Sequence, residues 1–483
     1  MHFSIVCRIL GLLLMLFSIL ANLPAILVSI IYSDGELRSF ATSLLVTFAT
    51  GLMLWFLTIG AKKELRTRDG FLVVTLFWTV LGTFGALPFF FSSDLPLSIT
   101  DAIFESISGL TTTGATVIIG LDTLPKSILF YRQQLQWLGG MGIIALAVAV
   151  LPMLGIGGMQ LYRAESPGPV KNDNLVPRLA ETAKALWYIY LALTLACTLC
   201  YWAAGMSFFD AICHSFTTIA IGGFSTHDAS LGFFDSPLIN MVATVFMFLA
   251  GINFALHFTA WRSKSVAQYM RDPELQFYSV MMIVLVVVTV SVLYFSQTYT
   301  LFDSVIHGAF QSVSIATTTG FTTDDFSVWP SVLPYMLIYA SIIGACAGST
   351  GGGMKVIRIL LILKQGLREI QRLIHPSAVI PIKLGSTLVP DKVIDSVWGF
   401  FAMYVMVFLA LLLAMLATGM DVVTAFSAVG AAINNLGPGL EGVAKNYSMV
   451  TDTGKWILCF AMLLGRLEIF TLLVLFLPMF WRR

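Results

Sequence analysis

Charge is what this 483-residue chain has least of: Asp, Glu, Lys and Arg together make up 11% of it, and the net charge is +1. Soluble domains carry about 25% charged residues, so a water-facing globule is excluded. The near-neutral balance also implies no polyanionic partner, nucleic acid included. Cysteine is sparse. Cys7, Cys197, Cys200, Cys213, Cys346 and Cys459 lie mostly in apolar segments. The closely spaced Cys197 and Cys200 read as small apolar packing residues rather than a redox pair. Catalytic signatures are missing too. There is no H-E-x-x-H, no G-x-S-x-G, no Walker motif and no G-x-G-x-x-G behind a strand. No enzyme, nucleotide site or metal cluster is expected; His227 and Asp228 read as solvated loop residues.

What the chain has is apolar length. Hydrophobic residues make up 58% of it, and about 20 of them in a row cross a hydrocarbon core of about 30 Å. The expected fold is an all-α polytopic membrane protein with ten transmembrane helices, at roughly 5–31, 40–61, 70–92, 127–154, 182–206, 235–262, 276–298, 332–364, 392–418 and 452–481. The run from Ile9 to Ile31 is too long for a signal h-region and lacks a small-residue cleavage site, so it reads as the first span.

Four apolar pieces are too short to cross: 99–124, 208–230, 301–327 and 421–445. They make the pattern after the second span span–loop–span, four times over. The predicted partition is a two-span N-terminal domain, 1–69, followed by repeats at 70–178, 179–272, 273–390 and 391–483. Charge tests this layout independently. With both termini cytoplasmic, 21 of the 27 Lys and Arg fall on the inner side, as the positive-inside rule requires. Arg38, Lys126, Arg132, Lys445 and Lys455 fall outside, and Arg466 falls within the last span. All four short pieces then share the outer side.

Each short piece ends in a Gly tract: Thr111-Thr112-Thr113-Gly114, Ala220-Ile221-Gly222-Gly223, Thr317-Thr318-Thr319-Gly320 and Asn434-Asn435-Leu436-Gly437. Gly114, Gly223, Gly320 and Gly437 are 109, 97 and 117 residues apart. An Asp opens each piece: Asp101, Asp210, Asp303 and Asp421. Asp at a helix start caps free N–H groups and suits the positive dipole end. The Asp-to-Gly distances of 13, 13, 17 and 16 residues predict that the last two helices are a turn longer. Such helices aim their negative ends at a central cavity and favour a cation there. Irregular backbone at membrane depth must be enclosed by protein or line water. Its carbonyls replace the hydration shell of a monovalent cation, as in a potassium filter, with Thr112 and Thr318 adding hydroxyl oxygens. The tracts are therefore candidate K⁺ sites around one pseudo-fourfold pore. The ring is only roughly fourfold, because the second tract has Ile221-Gly222 and the fourth has no Thr and is followed by Pro438.

Two features sit inside spans. Gly344, Gly348, Gly351, Gly352 and Gly353 interrupt the eighth, and no helix holds through three consecutive glycines unaided. The alternatives are a close-packed interface and an unwound gating loop beneath the filter. Arg466 in the tenth span either faces the pore or pairs with another helix.

These residues resemble the TrkH/TrkG/KtrB family of bacterial potassium-uptake subunits over the whole chain. The resemblance implies four span–pore helix–span repeats around one pore, plus two extra N-terminal spans. It implies a filter at Thr112–Gly114, Ile221–Gly223, Thr318–Gly320 and Asn435–Gly437, an intramembrane gating loop at Gly344–Gly353 and a pore arginine at Arg466. It further implies K⁺ as the transported ion, the lipid bilayer of the inner membrane as the setting, a homodimer, and a cytosolic nucleotide-binding regulatory subunit of the TrkA type. Arg358 to Arg372 is a candidate docking surface for that subunit. The alternative function is proton- or sodium-coupled symport through the same pore. That needs an ionisable group on the path, and His214, His257 and His307 are its candidates.

Overall fold

The computed structural model describes residues 2–60, 67–149, 175–330 and 332–482. Among them the chain is almost wholly helical. The N-terminal pair, α1 (Phe3–Tyr32) and α2 (Leu37–Leu57), forms a hairpin. Gly11 and Gly51 let it close: a Cβ on either would lie 2.7 Å from the carbonyl oxygen of the other. Much of this pair stays uncovered, with Leu27, Ile31, Leu45 and Leu57 exposed, which suits a lipid-facing surface.

The first repeat contains α3 (Thr67–Phe84), α4 (Leu87–Phe91), the short α5 (Ile99–Leu110) and α6 (Lys126–Ala149). The second contains α7 (Leu175–Ala203), the short α8 (Phe208–Ala220), α9 (Pro237–Ala250) and α10 (Phe254–Ser263). After α11 (Ala267–Arg271), the third contains α12 (Pro273–Phe295), α13 (Leu301–Ala316), α14 (Leu333–Ile343) and α15 (Val356–Ile374). A two-residue hairpin, Lys383–Leu384 against Thr387–Leu388, turns the chain into α16 (Asp391–Leu416). The fourth repeat ends with α17 (Val422–Asn434), α18 (Asp452–Arg466), α19 (Phe470–Leu473) and α20 (Pro478–Trp481).

Six of these helices are long and apolar enough to cross a membrane, and two bent pairs bring the number to eight. The other two predicted positions hold α6 and the interrupted pair α14 and α15. The end of the fourth predicted span, 150–154, lies outside the described residues, as do Lys62, Lys63, Arg66, Arg163, Lys171 and Arg483 among the inner cations.

Beyond the short turn between α3 and α4, three of the predicted spans are sharply bent or unwound. The sixth bends by 90° between α9 and α10, where Asn253 caps the new helix by accepting from Ala255 N at 2.9 Å. The eighth stops at Ile343 and restarts at Val356, and Gly344 adopts φ 73. The tenth bends by 109° after Arg466, with Glu468 and Ile469 in left-handed backbone. Apolar periodicity runs through the sixth and tenth breaks, which is why composition alone draws them as straight rods.

Candidate ion-conduction site

The four short helices begin with local side-chain chemistry. In three of them the cap is Ser98, Ser207 or Thr300, whose oxygen accepts from the backbone N–H of the Asp three residues on. Asp101, Asp210 and Asp303 in turn accept from those hydroxyls at 2.7–2.9 Å, so each cap side chain and its Asp are mutually bonded. In the fourth, Asp421 is itself the cap, accepting from Thr424 N at 2.9 Å. The four Asp residues are thus not equivalent. Counted from the cap, the first, second and fourth helices have 12, 13 and 13 residues and only the third, with 16, is longer. The expectation of a longer fourth helix came from this frame shift.

All four helices then end alike. Thr113, Gly222, Thr319 and Leu436 each donate N–H to the carbonyl five residues back, at 2.8 Å in every case. The residue before each donor is left-handed: Thr112 φ 53, Ile221 φ 54, Thr318 φ 69 and Asn435 φ 53. The residue after it is a glycine with positive φ: Gly114 at 82, Gly223 at 79, Gly320 at 85 and Gly437 at 94. Alternating the hand of successive residues turns successive carbonyls to one side of the chain.

These glycines meet one another in a cycle. A Cβ on Gly114 would lie 2.1 Å from the Gly222 oxygen, one on Gly223 2.1 Å from the Thr319 oxygen, and one on Gly320 2.1 Å from the Leu436 oxygen. A Cβ on Gly437 would lie 2.7 Å from the Thr113 oxygen, which closes the ring from the fourth tract back to the first. Each contact is far inside the separation that real Cβ atoms keep, so glycine is required at all four positions.

The ring also has a twofold character. Thr111 and Thr113 hydroxyls bond each other at 2.8 Å, and Thr317 and Thr319 do so at 2.7 Å in the opposite repeat. In the fourth tract Asn435 replaces that pair, donating Nδ2 to Thr113 Oγ1 and to the Met462 carbonyl, each at 3.0 Å. The buried Thr112 hydroxyl has no protein hydrogen-bond partner among the described residues.

The backs of the tracts are held by polar side chains that sequence reasoning missed. Arg132 on α6 pairs with Glu105 on α5 at 2.8 Å, both buried. The guanidinium also donates to the Ser225 carbonyl and the Thr116 hydroxyl at 3.1 Å, and it lies 4.2 Å from the Phe224 ring centroid. Glu105 accepts from Val117 N at 3.0 Å. One turn on, Gln136 donates to the Gly222 oxygen at 2.6 Å and accepts from Phe224 N at 3.1 Å. Tyr447 donates to the Gly437 oxygen at 2.7 Å. The charge pattern had Arg132 as an outer-side cation. The signal for a different role was the polar run Arg132, Gln133, Gln134 and Gln136 inside an apolar helix.

Below the ring lies the interrupted helix. Gly352 donates its N–H to the Thr318 hydroxyl at 2.7 Å, so this hydroxyl is engaged by the loop. Gly353 N donates to the Asn434 oxygen at 3.1 Å, and Thr350 Oγ1 to the Ile219 oxygen at 2.9 Å. A Cβ on Gly352 would lie 1.9 Å from the Asn434 oxygen, and one on Gly351 2.9 Å from the Thr317 oxygen. The segment therefore seats against the inner ends of the second, third and fourth tracts. Its other side fills the break in the sixth span. Cys346 N donates to the Gly251 oxygen and Phe254 N to the Gly348 oxygen, both at 3.0 Å, and a Cβ on Gly348 would lie 2.7 Å from Asn253 Oδ1. Gly344 closes on Gly353 at the loop's neck.

Arg466 reaches this loop from the last repeat, donating Nη1 to the Thr350 oxygen at 3.1 Å. It is buried and has no acidic partner within 4.0 Å among the described residues. Its Nε and Nη2 have no hydrogen-bond partner there either. Glu468 pairs instead with Arg358 of α15 at 2.5 Å. Of the two readings of Arg466, an ion pair to another helix is not what this geometry contains.

Residues 36–483 match the family model for TrkH, described as a cation transport protein. The chain belongs to the TrkH family. It is 55% identical over 483 residues to the Trk system potassium uptake protein TrkH of Halomonas elongata, and 56% identical to that of Escherichia coli K12, with both chains covered fully in each case. The E. coli K12 protein TrkG is 41% identical, with 100% of this chain and 99% of that one covered. The crystal structure of the potassium transporter TrkH from Vibrio parahaemolyticus superposes with a TM-score of 0.93 at 54% identity, with full coverage of both chains. The matching relatives are named as potassium uptake proteins and the family as a cation transport protein, which agrees with the expectation that the chain is not an enzyme.

The loops beside the ring in this TrkH-family chain correct one further expectation. His227 is not a solvated loop residue. Its Nδ1 contacts Asp122 at 2.5 Å, its Nε2 lies 3.7 Å from Asp210, and its ring stacks on Phe233 at 3.5 Å. Burial works against its charged form, but the hydrogen bond with Asp122 and the negative charges of Asp210 and Asp122 outweigh burial and raise its pKa. The same contacts lower the pKa of Asp122 against its own partial burial. Asp228 is tied as well, accepting from Gly120 N at 3.1 Å. The first and second repeats are thereby latched together above the ring.

Proposed function

We propose that this chain takes up potassium through a gated, channel-like pore whose filter is the ring of four Gly tracts. It is the translocating subunit of a Trk-type uptake system, the activity named for its relatives. The cyclic contact of Gly114, Gly223, Gly320 and Gly437 with the neighbouring tract is the observation that carries this reading. Such a cycle gives four carbonyl-bearing strands one common axis. A dehydrated K⁺ on that axis takes the tract carbonyls in place of water, and the helix C-termini behind them favour its charge. The unpartnered Thr112 hydroxyl supplies a further oxygen.

The loop from Gly344 to Gly353 is the gate in this reading, because it seats under three tracts at once and bonds the filter residue Thr318. Arg466 adds a positive charge at the same level, a barrier to a cation leaving the ring while the loop is seated. The chain works in the bacterial inner membrane as a homodimer with both termini cytoplasmic, under a TrkA-type nucleotide-binding partner. The partition at 69, 178, 272 and 390 divides it into the N-terminal pair and four pore repeats. Coupled symport has less support. His214 bonds the Asp210 carbonyl and Ser225, His257 bonds the Leu249 carbonyl and Tyr269, and His307 bonds Thr323. Each histidine is thus engaged within its own repeat.

Rubidium tracer flux into proteoliposomes, wild type against Gly223→Ser, tests the reading. K⁺-selective flux that the substitution alters is expected. Selective flux indifferent to it removes the ring from the conduction path.

A further inference from the structure

Glu274 is the second residue of α12, following the cap Asp272, which accepts from Leu275 N at 2.8 Å. Its side chain is buried, 8% exposed, and it turns toward the interrupted helix of the same repeat. There Oε1 accepts two backbone N–H groups: Ala347 N at 2.7 Å and Ile357 N at 3.2 Å. These amides flank the part of the loop that touches the tracts, Thr350 to Gly353. Ile357 is the second residue of α15, whose cap position is Lys355 with φ 79 and no side-chain capping bond. The first turn of a helix leaves unpaired N–H groups and a positive dipole end. Here a carboxylate from another helix fills that place. No Lys, Arg or His side chain pairs with Glu274 within 4.0 Å among the described residues. Its carboxyl oxygen is held by amides that exist in this arrangement only while the loop is seated.

We propose that Glu274 is the positioning residue that fastens the gating loop, pinning both of its flanks through one carboxylate oxygen. The inference rests on the reading of that loop as a gate. Moving the loop strips a buried carboxylate of both donors at once, and an uncompensated buried charge is strongly unfavourable. The loop then has two arrangements, fastened and released, rather than a continuum. Among the described residues Glu274 hydrogen-bonds neither the ring nor its supports, so it sets how often the pore is open and leaves ion preference alone.

The test uses the purified full chain alone in proteoliposomes, as wild type, Glu274→Gln and Glu274→Asp. The Gln variant keeps the shape and an acceptor but removes the charge. The Asp variant keeps the charge one methylene further back, and it serves if Gln does not fold. Two quantities are read: rubidium flux with its K⁺/Na⁺ preference, and the labelling rate of Cys346 by a thiol reagent, resolved by peptide mass spectrometry. Cys346 is buried beside Ala347 and reports loop release without reference to conduction. Loss of a charged hydrogen bond is worth about tenfold in an equilibrium. Faster Cys346 labelling and flux raised about tenfold, at unchanged K⁺/Na⁺ preference, are the expected results. Faster labelling with unchanged flux keeps Glu274 as the fastener and overturns the loop as gate. Unchanged labelling in folded variants, or a shifted ion preference, overturns the inference itself.

Discussion

Arg466 and Thr350 join the last repeat to the loop of the third: the guanidinium donates to the Thr350 carbonyl oxygen over 3.1 Å, beneath the ring of glycines. The contact places a buried cation and the unwound segment in one unit. It also fixes what removal of the side chain does.

Arg466→Ala is expected to raise potassium flux through the chain. It deletes both the bond that seats the loop and the positive charge below the ring. A charged hydrogen bond of this kind is worth about 1.5 kcal/mol or more, or about tenfold in the population of the released loop. Arg466→Lys falls between, since an ammonium keeps the charge but not the planar donor geometry. Tracer uptake at matched protein density checks the order.

The four ring glycines are expected to differ in tolerance. A Cβ would come within 2.1 Å of a neighbouring carbonyl oxygen at Gly114, Gly223 and Gly320, but only within 2.7 Å at Gly437. Ser at Gly437 therefore preserves more K⁺/Na⁺ preference than Ser at the other three. Competition of sodium against rubidium uptake measures this, and equal damage at all four positions counts against the contact order.

Breaking the Arg132–Glu105 pair from one side leaves a buried charge without its partner. Arg132→Met or Glu105→Gln alone is expected to lower stability by about 3–5 kcal/mol. Both substitutions together cost less than the sum, since neither charge is then stranded. Thermal unfolding of the detergent-solubilised variants reads the difference.

The His227 latch carries a pH signature. The pKa of His227 is raised above its ordinary 6.5, so its contribution is full below that value and fades as pH rises through the folded-state pKa. Asp122 and Asp210 are lowered below 3.8, so their contribution is full above that value and fades in acid. The latch is strongest between these limits, with His214, stacked at 6.5 Å, and Asp228 as the other titratable neighbours. His227→Gln is expected to lower the melting temperature most in mildly acid buffer, with the gap closing at alkaline pH. A gap that widens with rising pH reverses the sign of the argument.

Some of this was legible in the sequence, and the reason is locality. A capping residue, a short apolar run and a glycine at the end follow one another along a single short segment, so each of the four helices announces itself. Gly351, Gly352 and Gly353 likewise break a helix wherever they stand. The register of the fourth helix was misread because Asp421 serves as the cap, whereas Asp101, Asp210 and Asp303 sit one turn further in. Glu105 and Arg132 meet across 27 residues and His227 and Asp122 across 105, and no periodicity brings such pairs together. The bends after Ala250 and Arg466 lie in apolar runs. The first is held open by the third repeat's loop, a tertiary contact, and its only local mark is Gly251 with the capping Asn253.

Anomalous diffraction from crystals of this chain grown in rubidium tests the central claim most directly. The account predicts a rubidium peak on the common axis of Gly114, Gly223, Gly320 and Gly437, ringed by tract carbonyl oxygens. Rubidium bound elsewhere, with the ring axis empty, contradicts it.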